Sequence, residues 1–420
     1  MAAGKAPHPA LFAILVAPYG AAFSYVAAAL PYLGGRVGLQ VAMTALLGLA
    51  YLPHAWKFLW APLVDATLTR KLWYWIGLFL TAGGLVLTSS VPVSEATLGL
   101  LTVVVVASQV GLTLLNMGVE SFMGLTVPEA GRGRAAGWYW FGNLFAGAMV
   151  AVAMPTLLEV MPQPWMIGAL LGTVLLLCGI PTAFIRMPPA DADHPPHLKA
   201  AMVKLGRDLR QLVTSRAGLT GMIICLVPVS AGVMTNALNS MSSMWSITDP
   251  GRYDILGMSL TPTQIVFYIL AGVGGVLAAF GAILGGKLAD RMPRRLAQAV
   301  AGGSMAITAV AMALAPRDPW AYVAFGLTYA FFSGVAQAAF SSFVLETIGK
   351  GAVATKYNIF ASLTNQAYAY TAYLDSRALD AWGPRGMLFT DAALTTGGIL
   401  VVLVMFFFVT GRRQVTSPSA

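Results

Sequence analysis

Ionisable side chains are scarce in this chain: Asp, Glu, Lys and Arg together make up 10% of its 420 residues. A soluble domain carries roughly 25%, so a water-exposed globular surface cannot be built from this supply. Histidine is scarcer still, with four copies: His8, His54, His194 and His197. None stands beside a Ser or Cys nucleophile pattern, which argues against a membrane enzyme working by acid–base chemistry. The two cysteines, Cys178 and Cys225, fall inside apolar runs without metal-ligand spacing, so neither a disulfide framework nor a thiolate site is expected. A phosphate-binding loop is missing too. The glycine-rich run Gly272 to Gly286 has no Gly-Lys-Ser/Thr and follows no strand; its small residues four apart, Gly281 and Gly285, suit a helix-packing face. No cofactor, metal or nucleotide hydrolysis is expected.

What the chain has instead is apolar length. It is 58% hydrophobic, and about twelve runs of roughly 20 residues, the span of a bilayer core, follow one another from end to end. The first extends from about Ala10 to Leu30, too long for the apolar region of a signal peptide, and is taken as a membrane helix. The expected fold class is an all-α membrane protein of twelve transmembrane helices in two six-helix pseudo-symmetric halves. The polar stretch from Arg186 to Arg216 divides the chain, giving bundles at 1–185 and 218–420 joined by a cytoplasmic linker at 186–217. Asp191, Asp193, His194 and His197 in that linker lie among prolines and are read as solvated rather than metal-binding. The basic amphipathic segment Leu198 to Val213 suits a membrane surface.

With the N-terminus cytoplasmic, nineteen of the 25 basic residues fall in cytoplasmic segments and five (Arg36, Arg252, Arg317, Arg377, Arg385) fall opposite. This is a strong positive-inside bias. The net charge of +9 is thus a topology signal, with no nucleic-acid partner implied.

Two features recur between the halves. Trp56-Lys57-Phe58-Leu59-Trp60-Ala61-Pro62-Leu63-Val64-Asp65 ends the second span, and Gly286-Lys287-Leu288-Ala289-Asp290 ends the eighth; paired cations follow each, Arg70-Lys71 and Arg294-Arg295. Glu120-Ser121-Phe122 followed by Trp138 to Leu144 is echoed by Ser341-Ser342-Phe343, Glu346 and Tyr357 to Leu363. Two six-helix halves in parallel repeat are the arrangement of the major facilitator superfamily.

Lys57 to Asp65 resembles the second-helix signature of AmpG-type muropeptide permeases. Ala338-Ala339-Phe340 and Ala354-Thr355-Lys356-Tyr357-Asn358-Ile359-Phe360-Ala361-Ser362-Leu363 resemble the same family's tenth–eleventh helix region. That family belongs to the peptide/acetyl-coenzyme-A/drug transporter group, which also holds siderophore permeases. The resemblance implies an importer in a bacterial inner membrane, with both termini cytoplasmic, coupled to protons and moving a bulky polar solute by alternating access. A siderophore permease of the same group, a lipid flippase and a non-transporting receptor are the alternatives. Small-molecule substrate, protons and membrane lipids are the expected partners, and a monomer the expected state.

In that fold the fourth and tenth helices line the central cavity, which implies Glu120 and Glu346 as proton-coupling carboxylates. Asn116 and Glu120, four apart, share a helix face. The loop after the second helix meets the start of the eleventh, and the loop after the eighth meets the start of the fifth; Asp65 and Asp290 are therefore the expected gates. Lys57 pairs with a carboxylate, meets an anionic substrate or snorkels, and the sequence leaves these open. Substrate contacts are expected from polar and aromatic residues inside spans: Lys57, Asn116, Tyr139, Asn143, Asn236, Asn239, Trp245, Asn358, Asn365 and Gln366.

Overall fold

A chain of membrane-length apolar runs must satisfy its backbone polar groups internally, and helices do this within each segment. The computed structural model describes residues 6–187, 198–229, 251–255, 258–349 and 352–410. In the first half, α1 (Ala10–Arg36), α2 (Gln40–Trp56), α3 (Ala61–Ala66), α4 (Arg70–Ser90), α5 (Leu98–Thr126), α6 (Arg132–Val160) and α7 (Pro164–Leu177) follow in order. Then come α8 (Leu198–Thr214) and α9 (Arg216–Leu226). A small antiparallel hairpin, β1 (Tyr253–Ile255) with β2 (Met258–Leu260), precedes α10 (Pro262–Tyr268), α11 (Gly275–Arg291), α12 (Arg294–Leu314), α13 (Pro319–Thr347) and α14 (Val353–Thr410).

Among the described residues, nine helical stretches are long and apolar enough to cross a membrane. One of them, α14, is two spans fused across Gly383, whose φ of 69° favours glycine, and Pro384. The second span is the shorter α2, and α9 leads towards residues 230–250, which lie outside the described residues. The fold is the twelve-helix one expected, with the β-hairpin as an addition that the apolar runs did not announce.

The second span departs from the unbroken helix read from its hydropathy. α2 carries Pro53 and stops at Trp56; Lys57–Leu59 form a 3-10 turn, and Pro62 opens α3. Proline removes a backbone donor and crowds the preceding turn, so this chain segment bends where its one buried lysine sits. The eighth span is irregular as well, with a π-helical turn at Ile269–Gly274 between α10 and α11.

Neighbour relations repeat between the halves. α1 lies along α6 as α9 lies along α14, and α4 packs on α5 as α12 packs on α13. Across the halves, α6 runs along α11, while α2, α3 and α5 meet α14. α8 rests on α3 and α9.

Glycines set these distances. Gly281 and Gly285 face the α13 backbone at Phe331 and Val335, whereas Gly286 faces Gly133 and Gly137 of α6. Adjacent glycines thus serve different interfaces, one within a half and one between halves. A side chain at Gly286 would meet backbone atoms with no room to yield. The Gly286→Val variant is accordingly expected to hold α6 and α11 apart, seen as a longer distance between spin labels on those helices, with the fold retained. Gly285→Val should instead lower the unfolding temperature, through overpacking of about 1–3 kcal/mol. Unchanged label distances in Gly286→Val would contradict this assignment of the two faces.

Candidate functional site

Four elements converge on Glu120. α5 presents Asn116 and Glu120 one turn apart, α6 brings Tyr139, α14 brings Asn358, and the break after α2 delivers Lys57. All five side chains are buried, Glu120 to 1% and Lys57 to 5% exposure. Lys57 Nζ stands 3.4 Å from Glu120 Oε1, which also accepts from Asn116 Nδ2 at 2.8 Å. Asn358 Nδ2 donates to Glu120 Oε2 at 2.9 Å and to the Ala354 carbonyl at 2.7 Å. The Tyr139 hydroxyl donates to Asn116 Oδ1 at 2.7 Å. Both ends of the Asn116 amide are therefore engaged, and its orientation is fixed by its neighbours.

A buried ion pair offsets its desolvation cost only when further hydrogen bonds satisfy both charges. Here the carboxylate has three donors, one of them from the opposite half. The snorkelling alternative for Lys57 does not hold, because the helix break turns its ammonium inward onto Glu120. Close by, Ser341 of α13 receives hydrogen bonds from Trp140 Nε1 at 2.7 Å and from the Tyr357 hydroxyl at 2.8 Å. The Trp140 bond is another link from the first half to the second.

His54 is the member that sequence reasoning missed. It is buried in α2, with Nδ1 2.9 Å from the Tyr19 hydroxyl of α1 and Nε2 2.9 Å from Gln109 Oε1 of α5. The rings of Tyr19 and Phe23 meet it edge-on. Asn365 of α14 donates to the His54 backbone carbonyl at 3.4 Å. A histidine inside an apolar span was the available signal; it was weighed only as an enzyme residue.

Asp65 and Asp290 each lie against a helix N-terminus of the other half. Asp65 Oδ2 accepts from the Thr355 N–H and hydroxyl, both at 2.7 Å, and Oδ1 accepts from the Ala354 N–H at 3.3 Å. Arg70 Nη2 stands 3.5 Å from Oδ1. Asp290 accepts from the Gly133 N–H at 2.8 Å, the Arg134 N–H at 3.0 Å and Arg134 Nε at 3.2 Å. A carboxylate satisfies the free N–H groups of a first helical turn and meets the positive end of its dipole. Burial pushes the Asp65 carboxyl above its ordinary range, while the Thr355 N–H and hydroxyl and the Arg70 guanidinium pull it back. The contact thus balances attraction against desolvation. Two arginines add to the closure at this end, Arg132 Nη1 to the Leu345 carbonyl at 2.7 Å and Arg294 Nη2 to the Glu129 carbonyl at 2.6 Å.

Glu346 is not part of the Glu120 site, which corrects its expected place in a central cavity. It lies at the end of α13 with its side chain 47% exposed, paired with Arg294 at 3.1 Å. Helical phase explains the difference. The repeat aligned the two glutamates only approximately, and a shift of a few positions along a helix changes both depth and direction. Asn143 is buried in α6, where its backbone abuts Gly20 of α1. Asn365 and Gln366 are exposed residues of α14. Asn236, Asn239 and Trp245 lie outside the described residues, as do Asp191, Asp193, His194 and His197. Among the described residues, no group of three metal-ligating side chains occurs.

The Major Facilitator Superfamily profile matches residues 11–372. Among solved structures, the chain superposes on the proton:xylose symporter XylE bound to 6-bromo-6-deoxy-D-glucose with a TM-score of 0.70 at 13% identity, covering 96% of this chain and 95% of that one. A variant of the E. coli fucose:proton symporter FucP gives 0.69 at 15% identity, with 94% and 98% covered. FucP in an outward conformation gives 0.65 at 17%, again with 94% and 98% covered. At these identities the likeness is one of fold. No curated protein matches the chain.

Proposed function

The chain belongs to the major facilitator superfamily, and from that premise we propose that it is a proton-coupled secondary transporter working by alternating access, with Glu120 as the proton carrier. One observation carries the reading: Glu120 pairs with Lys57 in its own half and accepts from Asn358 of the other. Its charge state is therefore linked to whether the halves stay together at this depth. Protonating Glu120 ends its ion pair and weakens the bond from Asn358. Lys57 is then a buried cation without a partner, a costly state unless another anion takes it up. An acidic group on the solute would do so, which ties proton and solute uptake into one step.

This exchange of partners favours an acidic, bulky, polar solute. A muropeptide fits it, and so do the two stretches that resemble AmpG-type permeases; a siderophore of the same group fits where it carries a free carboxylate. Asp65 and Asp290 would act as gates that hold one end shut until the halves 1–185 and 218–420 rock apart, with 186–217 as the tether. By this reading that end and both termini face the cytoplasm of a bacterium whose inner membrane would hold the protein as a monomer, and the excess of basic residues in the loops on that side supports this orientation.

A thermal-shift screen of the purified protein against anhydro-muropeptides, ferric siderophores and lysolipids is the first test. A bound ligand raises the apparent unfolding temperature by mass action. The hit should then accumulate in liposomes only when a proton gradient is imposed. A lysolipid-only response would favour a flippase, and accumulation indifferent to the gradient would end the coupling assignment.

A further inference from the structure

The two spans fused in α14 each bring one aspartate into the interior of the second half. Asp375 and Asp391 flank Gly383 at equal distance along the chain, so each sits roughly 12 Å along its helix from the turn. Each is 1% exposed. The chain neighbours of Asp391, Leu388 and Ala392, belong to an apolar cluster with Met312, Tyr322 and Tyr329. The Tyr329 hydroxyl of α13 donates to Asp391 Oδ2 at 3.1 Å. Among the described residues, no donor reaches either oxygen of Asp375; its carboxyl instead faces that of Asp391 within hydrogen-bonding reach. One turn earlier on the same helix face, the fully buried Thr371 hydroxyl has no partner either.

Two ionised carboxylates are acceptors only, and side by side in an apolar place they cannot both stay charged. Either one holds a proton or a cation lies between them. A metal cation such as calcium or magnesium is held by about six oxygen ligands. Among the described residues, this pair offers two carboxyls and one phenol whose hydrogen already points at Asp391. The other ionisable groups nearby, among the described residues, are the Tyr322 phenol of α13 and Tyr368 of α14, which acts on Tyr329. α12, packed against both, has no ionisable residue from Ala299 to Leu314, and Arg377, Asp380 and Arg385 near the turn are exposed.

We propose that Asp375 and Asp391 hold one shared proton, hydrogen-bonded between them and anchored by Tyr329. This is a protonatable site of the second half, distinct from Glu120. It lies roughly 30 Å along α14 from Thr355, towards the end opposite the Asp65 and Asp290 contacts. It exchanges protons with the compartment on that side. Losing the shared proton places two charges in the apolar cluster, so the second half loosens as that compartment turns alkaline.

The test uses the full-length protein in detergent. At about neutral pH, infrared spectra of the wild type should show the carbonyl band of a buried protonated carboxyl. Asp375→Asn should lose that band, whereas Glu120→Gln should keep it, which separates this site from the coupling assignment. The wild-type unfolding temperature should fall as pH rises from about 6 to about 9, because the folded state binds a proton that the unfolded chain has released. In Asp375→Asn the amide donates to the remaining carboxylate and that fall should vanish. Asp391→Asn provides the same readouts as a second variant should the first not fold. A wild type with neither band nor pH-dependent fall would overturn the proposal. Stabilisation of the wild type by sodium at about pH 8, absent in Asp375→Asn, would overturn it in favour of a cation site.

Discussion

Replacing Glu120 by glutamine is expected to abolish accumulation against a gradient while leaving solute binding in place. The amide is nearly the same size as the carboxylate, and its oxygen accepts from Lys57 or Asn358, but it takes up no proton in this pH range. The substitution also leaves Lys57 buried without its counter-charge. Breaking a buried pair from one side costs on the order of 3–5 kcal/mol, whereas removing both charges together is often close to neutral. A loss of uptake in the single variant could therefore come from instability alone. The Glu120→Gln/Lys57→Gln double variant separates the two effects. It should recover most of the unfolding temperature lost by Glu120→Gln and still show no gradient-driven accumulation. Wild-type accumulation in a stable double variant would take the proton-carrier role away from Glu120.

A second large effect is expected at the proposed gates. Asp65 and Asp290 each hold two backbone N–H groups at the first turn of a helix in the other half. Asparagine still accepts one hydrogen bond but loses the charge. A carboxylate at a helix N-terminus contributes typically 0.3–1 kcal/mol, and up to about 2 when partly buried. The two sites join different helix pairs, so their effects should nearly add. The Asp65→Asn/Asp290→Asn double variant should then shift the balance towards separation at this end by roughly 1–4 kcal/mol, tenfold for each 1.4 kcal/mol. Spin labels placed on α3 and on α14 near Thr355 would report it as growth of a long-distance population. Identical distance distributions in wild type and double variant would show that the contacts are helix caps without a gating role.

The candidate site was legible in the sequence to different depths. Asn116 and Glu120 were grouped correctly because four residues along a helix is a fixed geometry, independent of what surrounds it. The contacts of Asp65 with α14 and of Asp290 with α6 followed from the duplicated loops together with the resemblance. Glu346 was misplaced because a repeat aligned by residue type leaves helical phase undetermined, and phase decides whether a glutamate faces Glu120 or Arg294. His54 was weighed only as an enzyme residue because its partners, Tyr19 and Gln109, lie on two other helices. Asp375 and Asp391 were not grouped, because only the turn at Gly383 brings the two spans that carry them side by side.

By itself the sequence determined that the chain would cross a membrane many times as helices, since in lipid the backbone has almost no other way to satisfy its hydrogen bonds. It also determined that the halves would be duplicates, and it located the helix ends where charges return. The tertiary structure decided which charge meets which. Lys57 is directed by a break in the second span, Glu120 by a donor from the opposite half, and Asp375 by a helix on the far side of a turn. The energy of a buried charge depends almost entirely on the few groups within hydrogen-bonding reach, and those groups come from segments far apart in the chain.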